Sequence, residues 1–124
     1  MKVLLSIKPE FADSILDGSK HFEFRKNIFK RDGIEKVVIY ATMPVGKVVG
    51  EFDVGGVIAL EPEELWEETK THAGISFSFF ESYFSGRDRG FAIKVKNPKR
   101  YEQPVALDDL IPNGIAPQSY RYIN

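Results

Sequence analysis

In the stretch "GSKHFEFRK", residues 18–26, the side chains of Lys20, His21, Glu23, Arg25 and Lys26 crowd around two phenylalanines. These residue types suit recognition chemistry. Lysine and arginine bind anions, arginine through a planar fork of donors that also matches a base edge, and a neighbouring carboxylate can orient the fork. Strand alternation sorts the group. Phe22 and Phe24 share one face, expected to be core, and His21, Glu23 and Arg25 share the other. The direction of Lys20 is set by the turn after Gly18 and cannot be read from alternation. A same-face Glu23–Arg25 pair also fits a plain surface ion pair, worth roughly 0–1 kcal/mol. Such a pair would hold the carboxyl low and make it a poor base.

Other chemistries lack their residues. There is no cysteine, hence no thiol nucleophile and no disulfide framework. The two histidines, His21 and His72, lie far apart in sequence and form no H-E-x-x-H motif. No G-x-S-x-G elbow or P-loop occurs either, so neither a metal nor a cofactor is expected. His72 reads as the cationic end of a helix, and His21 as a rim or solvent residue. The net charge is −1, without a basic recognition helix, which disfavours duplex DNA as a partner. Charge is nonetheless segregated: residues 1–50 carry nine Lys/Arg against six Asp/Glu, residues 51–85 one against eight, and residues 86–124 seven against four. Two basic thirds that met in space would make a local positive surface, with the acidic third facing away. The opening "MKVLLSIKPEF" has too short an apolar run, and no cleavage-like site, for a secretory signal, and no stretch is long and apolar enough for a membrane span. The expected setting is the cytoplasm.

The 124 residues suit one domain, 1–124, with one core. "KVLLSI" reads as a strand that stops at Pro9, and "PEFADSILDG" as a helix with proline in its first turn and Gly18 as its terminator. "KHFEFRK", "KVVIYA" and "KVVGEFDVGGVIAL" read as strands, the last bent or bulged at Gly55–Gly56. "PEELWEETKTHAG" is a helix ending at glycine. Ser76 or Ser78 caps the next one, which sets Phe77, Phe80 and Phe84 on one face. "GFAIKVKN" returns to strand, and "YEQPVAL" is a further strand placed at an edge by Pro104. This order argues for an α+β fold: a small mixed sheet curled toward a barrel, with helices segregated from it.

Gly18, Lys20, Glu23 and Arg25 together spell G-x-K-x-x-E-x-R, which resembles the signature of ASCH domains, a branch of the PUA-like superfamily. The similarity runs on through "LSIKPEFADSILDGSKHFEFRK", "VVIYATMPVGKVVGEF" and the closing "PQSYRYI". The resemblance implies a mixed β-pseudobarrel of about five or six strands with flanking helices, and a cleft that holds single-stranded RNA or a nucleotide, with a regulatory role within its scope. Lys20 and Arg25 would then contact the anion and Glu23 would orient it. Further cleft candidates come from the residues themselves. Lys8 ends the first strand, Tyr40 could stack a base and Thr42 could bond one, unless they serve as a core aromatic and a strand-end turn residue. Arg87, with Arg89, could meet phosphate or be part of a charged loop. Gln118, Ser119 and Arg121 alternate with Tyr120 and Tyr122, which suggests a docked tail that reaches the cleft. On this reading Arg25→Ala removes binding and leaves the melting transition nearly intact.

Whether the chain is an enzyme stays open, with the weight on binding. The alternative is a metal-independent hydrolase of RNA or of a modified nucleoside, with Lys20 and Glu23 as catalytic residues. Some ASCH relatives are amidohydrolases that use a lysine and a threonine three residues later. Here Lys20 is kept and Glu23 stands where the threonine would fall, which removes the hydroxyl. A third class, a protein-interaction module, rests only on the acidic, aromatic region around Trp66 and residues 77–84.

Overall fold

The computed structural model describes residues 1–123. β1 (Lys2–Ile7) leads into α1 (Pro9–Leu16), followed by β2 (Phe22–Arg25), β3 (Lys36–Ala41) and the long β4 (Lys47–Leu60). After α2 (Pro62–Thr69), a single 3-10 turn at Lys70–His72 and α3 (Phe77–Tyr83) come β5 (Gly90–Val105), the short α4 (Leu107–Leu110) and β6 (Tyr120–Ile123). The six strands form one mixed sheet in the order β2-β5-β4-β3-β1-β6, with β1 parallel to β3 and the other pairs antiparallel. The sheet does not close into a barrel: β2 and β6 are its two edges.

The sheet's concave face holds Val3, Leu5 and Ile7 of β1, Val37 and Ile39 of β3, Phe52 of β4 and Ile93 of β5, and α1 plugs it with Ala12 and Ile15. Helix α1 forms because Pro9 opens it where no N–H is needed and its apolar residues recur at helical spacing. The convex face is covered in two places. α4 lies over Leu4, Val38 and Val48, and α2 with α3 lies over Phe24 and Ala92. Ser76, not Ser78, caps α3, its hydroxyl accepting from the Phe79 N–H at 3.1 Å.

Three sequence expectations change. The strand drawn over "KHFEFRK" is only Phe22–Arg25, because Lys20 and His21 belong to the turn that leaves α1. "GFAIKVKN" and "YEQPVAL" are one strand, β5. Pro104 is tolerated inside it because β2 pairs only with Phe91–Lys94 and leaves the far end of β5 as a local edge. Phe77 is half exposed, so the apolar face of α3 rests on Phe80 and Phe84. Register shifts in β4 between Val54 and Val57 fall at the Gly55–Gly56 pair, where a bend was expected.

Candidate functional site

Each signature residue is placed by a local cause. Gly18 adopts a left-handed φ of 91° after α1, and the N–H groups of Ser19 and Lys20 both donate to the Ser14 carbonyl at 3.0 Å. This cap turns Lys20 inward, where only 2% of it is exposed. Its Nζ donates to the Ala73 carbonyl at 2.6 Å. Glu23 is paired with Ile93 across the ladder, so its side chain points to the concave, interior face of the sheet, and it is 5% exposed. Arg25 follows two residues on, on the same face.

Arg25 spans the seam between the two sheet edges. Its Nη1 donates to Glu23 Oε2 at 3.2 Å and to the Ser6 carbonyl of β1 at 3.3 Å, and its Nη2 donates to the Ser119 carbonyl just before β6 at 2.7 Å. The Ser6 hydroxyl donates to the Pro117 carbonyl at 2.7 Å and pins the same segment from the other side. These bonds revise the expectation that Arg25 could be removed at little cost to stability, since one guanidinium ties β2 to β1 and to the approach to β6.

The seam opens into a cavity of about 220 Å³. Lys8, Lys20, Glu23 and Arg25 supply its charged groups, and Phe11, Phe24, Phe79 and Tyr83 its aromatic walls. Every one of these rings faces an ammonium group. Lys20 Nζ lies 5.2 Å from the Phe11 centroid and 4.7 Å from that of Phe24, Lys8 Nζ lies 5.1 Å from Phe79, and Lys26 Nζ lies 4.8 Å from Tyr83. Burial brings the Lys20 ammonium down to about 8, against the pull of Glu23. Burial likewise pushes the Glu23 carboxyl above its ordinary value, outweighing the opposing pull of Arg25 and Lys20. The ion pair therefore does not make Glu23 a weak base as its sequence neighbours suggest, because desolvation dominates.

The other sequence candidates scatter. Lys8 lines the cavity. Tyr40 is only 9% exposed and packs with Leu4, Val48 and Leu107 on the convex face, as its pairing with Ser6 of β1 requires, so it lies among core residues rather than on the cavity wall. Thr42 opens the turn before β4, its carbonyl accepting from Val45 and Gly46, and is not a cavity residue. Arg87 donates to the Lys26 carbonyl and to Asn27 Oδ1, and Arg89 to the Ala59 carbonyl; both lie in a depression beside Lys26 and neither lines the cavity. Ser119 reaches the site through its carbonyl, whereas Gln118 and Arg121 are exposed. Tyr120 and Tyr122 dock on the concave core. A wider groove of about 470 Å³ between α2 and α3 is lined by Glu61, Glu63, Glu81 and Asp88 over Phe77 and Phe84; its acidic rim separates it from the basic seam. Among the described residues no cluster of His, Asp or Glu is placed to hold a metal ion, and no helix is long and apolar enough to cross a membrane.

Sequence reasoning missed Phe79 and Tyr83, which α3 delivers from far along the chain, and Gly74. A Cβ on Gly74 would meet the Lys20 stem at 2.5 and 2.6 Å, and the residue has a left-handed φ of 71°. Gly74→Ala is therefore expected to displace Lys20 and to add a backbone cost of roughly 1–2 kcal/mol. A thermal melt and a ligand titration should both show the damage, and a variant with unchanged binding would separate Lys20 placement from Gly74.

A six-stranded sheet curled around a plugging helix, its open seam laced by an arginine beside a buried lysine and glutamate, defines a class: small α+β pseudobarrels with a charged cleft. The model of the ASCH domain family matches residues 5–105, and the chain belongs to that family. The ASCH domain-containing ribonuclease of Zymomonas mobilis is 29% identical over 109 residues, covering 88% of this chain and 73% of that protein. The crystal structure of ASCH from Zymomonas mobilis is similar over 99% of this chain and 87% of that one, at 28% identity and a TM-score of 0.91. The N-terminal domain of Staphylothermus marinus McrB, at 18% identity and a TM-score of 0.55 over 90% of this chain and 81% of that one, shares the fold alone.

Proposed function

We propose that this is a single ASCH-type domain that binds single-stranded RNA or a nucleotide, one unpaired base entering the seam cavity and its phosphate lying against the basic mouth. The supporting observation is that all four aromatic walls already face an ammonium group. A cationic guest would meet like charge on every side, whereas a planar ring carrying an anion satisfies both the walls and the lysines. A cavity of about 220 Å³ suits one ring system and excludes a base pair. Lys20 and Arg25 supply positive potential, Glu23 orients the bound group, and Lys8, Lys26 and Arg87 sit where phosphates would follow. The cysteine-free chain fits a cytoplasmic setting.

A second reading, hydrolysis of RNA or of a modified nucleoside, is favoured by the opposed shifts of Glu23 and Lys20, which bring a base and an acid toward neutral pH. The Zymomonas mobilis relative that bears the name ribonuclease adds to it. One experiment tests both. The protein is titrated with short single-stranded RNA, single-stranded DNA and modified nucleosides while product is followed by mass spectrometry. Binding without product, weakened by salt and by Lys20→Met, is the expected result. Turnover dependent on Lys20 and Glu23 would move the assignment to the hydrolase, and no binding to any of them would end both readings.

A further inference from the structure

Glu23 is held from one side only. Oε2 accepts from Arg25 Nη1 at 3.2 Å, and among the described residues Oε1 has no hydrogen-bond partner. The carboxylate lies on the cavity wall, with Lys20 as the other charged group deep in the cavity. It offers acceptors and cannot move to avoid an ill-matched guest, because the Arg25 bond and the β2–β5 ladder fix it. A guest that fails to donate leaves a buried charge facing a lone pair, which is more costly than a missing contact.

Resting on the single-base reading above, we propose that Glu23 makes the cavity selective for guanine. Guanine alone among the four bases presents two adjacent N–H donors on its Watson–Crick edge, N1–H and N2–H, which match the two oxygens of a carboxylate. Its O6, next in line, is an acceptor for an ammonium, and Lys20 Nζ spends one donor on Ala73 and keeps two more. Adenine and cytosine set a ring-nitrogen lone pair beside their single amino donor. Uracil flanks its one N–H with two carbonyls. Each of these turns a lone pair toward the carboxylate. The discrimination therefore comes from one repulsive contact as much as from the attractive pair.

The test titrates the protein at pH 7.5 with the 5′-monophosphates of guanosine, inosine, adenosine, cytidine and uridine. Guanosine monophosphate is expected to bind about tenfold or more tighter than the adenosine, cytidine and uridine forms. Inosine monophosphate, which keeps N1–H and lacks the N2 amino group, should fall between. In Glu23→Gln the spread should collapse to about twofold, since the amide replaces one acceptor with a donor. Equal binding of all five by the unsubstituted protein, or a guanine preference that survives Glu23→Gln, would overturn the assignment to Glu23 and leave the single-base reading standing. The inosine comparison needs no variant and so remains decisive if Glu23→Gln does not fold. Failure of every monophosphate and of single-stranded RNA to bind would overturn the cavity reading itself.

Discussion

Arg25→Ala is expected to destabilise the fold by about 3–5 kcal/mol, the range for removing one partner of a buried pair. For a chain of this size that is a fall in melting temperature on the order of 10–20 °C. Two losses add up to this. Glu23, whose side chain is 7% exposed, is left without its guanidinium partner, and the carbonyls of Ser6 and Ser119 lose the donor that joins the β2 edge to β1 and the approach to β6. The effect should be relieved in the double variant Arg25→Met, Glu23→Gln, which removes the orphaned charge while preserving bulk. Urea denaturation of the two single variants and the double one measures the coupling. A melting temperature for Arg25→Ala within a degree or two of the parent would show that the seam is held elsewhere. It would restore the expectation, read from the signature alone, that Arg25 serves the ligand and not the fold.

That expectation is revised here for a reason that local sequence cannot carry. The alternation of "HFEFR" correctly sets Phe22 and Phe24 against the convex-face helices and Glu23 with Arg25 on the opposite side, because period 2 is a property of the strand itself. What it cannot say is that both faces of β2 are covered. The interior face becomes buried only when β1 and, from more than ninety residues away, the 117–119 segment close in. Burial then reverses the expected shift of Glu23, since the same Arg25 neighbour that would lower the carboxyl at a surface is overruled by desolvation. Tyr40 and Thr42 take the second of the two roles the sequence left open, a core aromatic and a strand-end turn residue. Their parity was legible, but which side of β3 meets the cleft depends on the parallel pairing with β1, a long-range register that leaves Tyr40 on the convex face. Phe79 and Tyr83 were visible only as aromatics of a helix, and the cavity they wall exists through the packing of α3 beside the seam. Lys20, by contrast, was located by its motif and left without a direction. The direction came from the Gly18 cap and from Gly74, which has no side chain to obstruct it.

Lys20 should make stability depend on pH from about 8 upward, a range that begins below that of ordinary lysines and tyrosines. Its ammonium is brought down from 10.5 to about 8 in the folded protein. Below pH 8 both states hold the proton and the folded state bears the full cost of a buried charge. Between about 8 and 10.5 the unfolded chain still binds a proton that the folded chain has released, so stability rises with pH, and above that range the gain is complete. The shift corresponds to about 3 kcal/mol. Lys20→Met has no such group, so the parent should gain about that much on the variant as urea denaturation is repeated from pH 7 to 10.5. Binding should move the other way. The affinity of the parent for an anionic nucleotide should fall as pH passes through 8, because the positive group facing it is lost, while the weak binding of Lys20→Met should show no such step. A stability gain that sets in near pH 8, where the affinity loss has its midpoint, would tie the fold and the ligand to one proton. A stability difference that is flat up to pH 10 would mean that the Ala73 carbonyl and the two phenylalanine faces hold the ammonium well enough to offset its burial. Lys20 would then be a permanent cation, and no proton donor for catalysis at neutral pH.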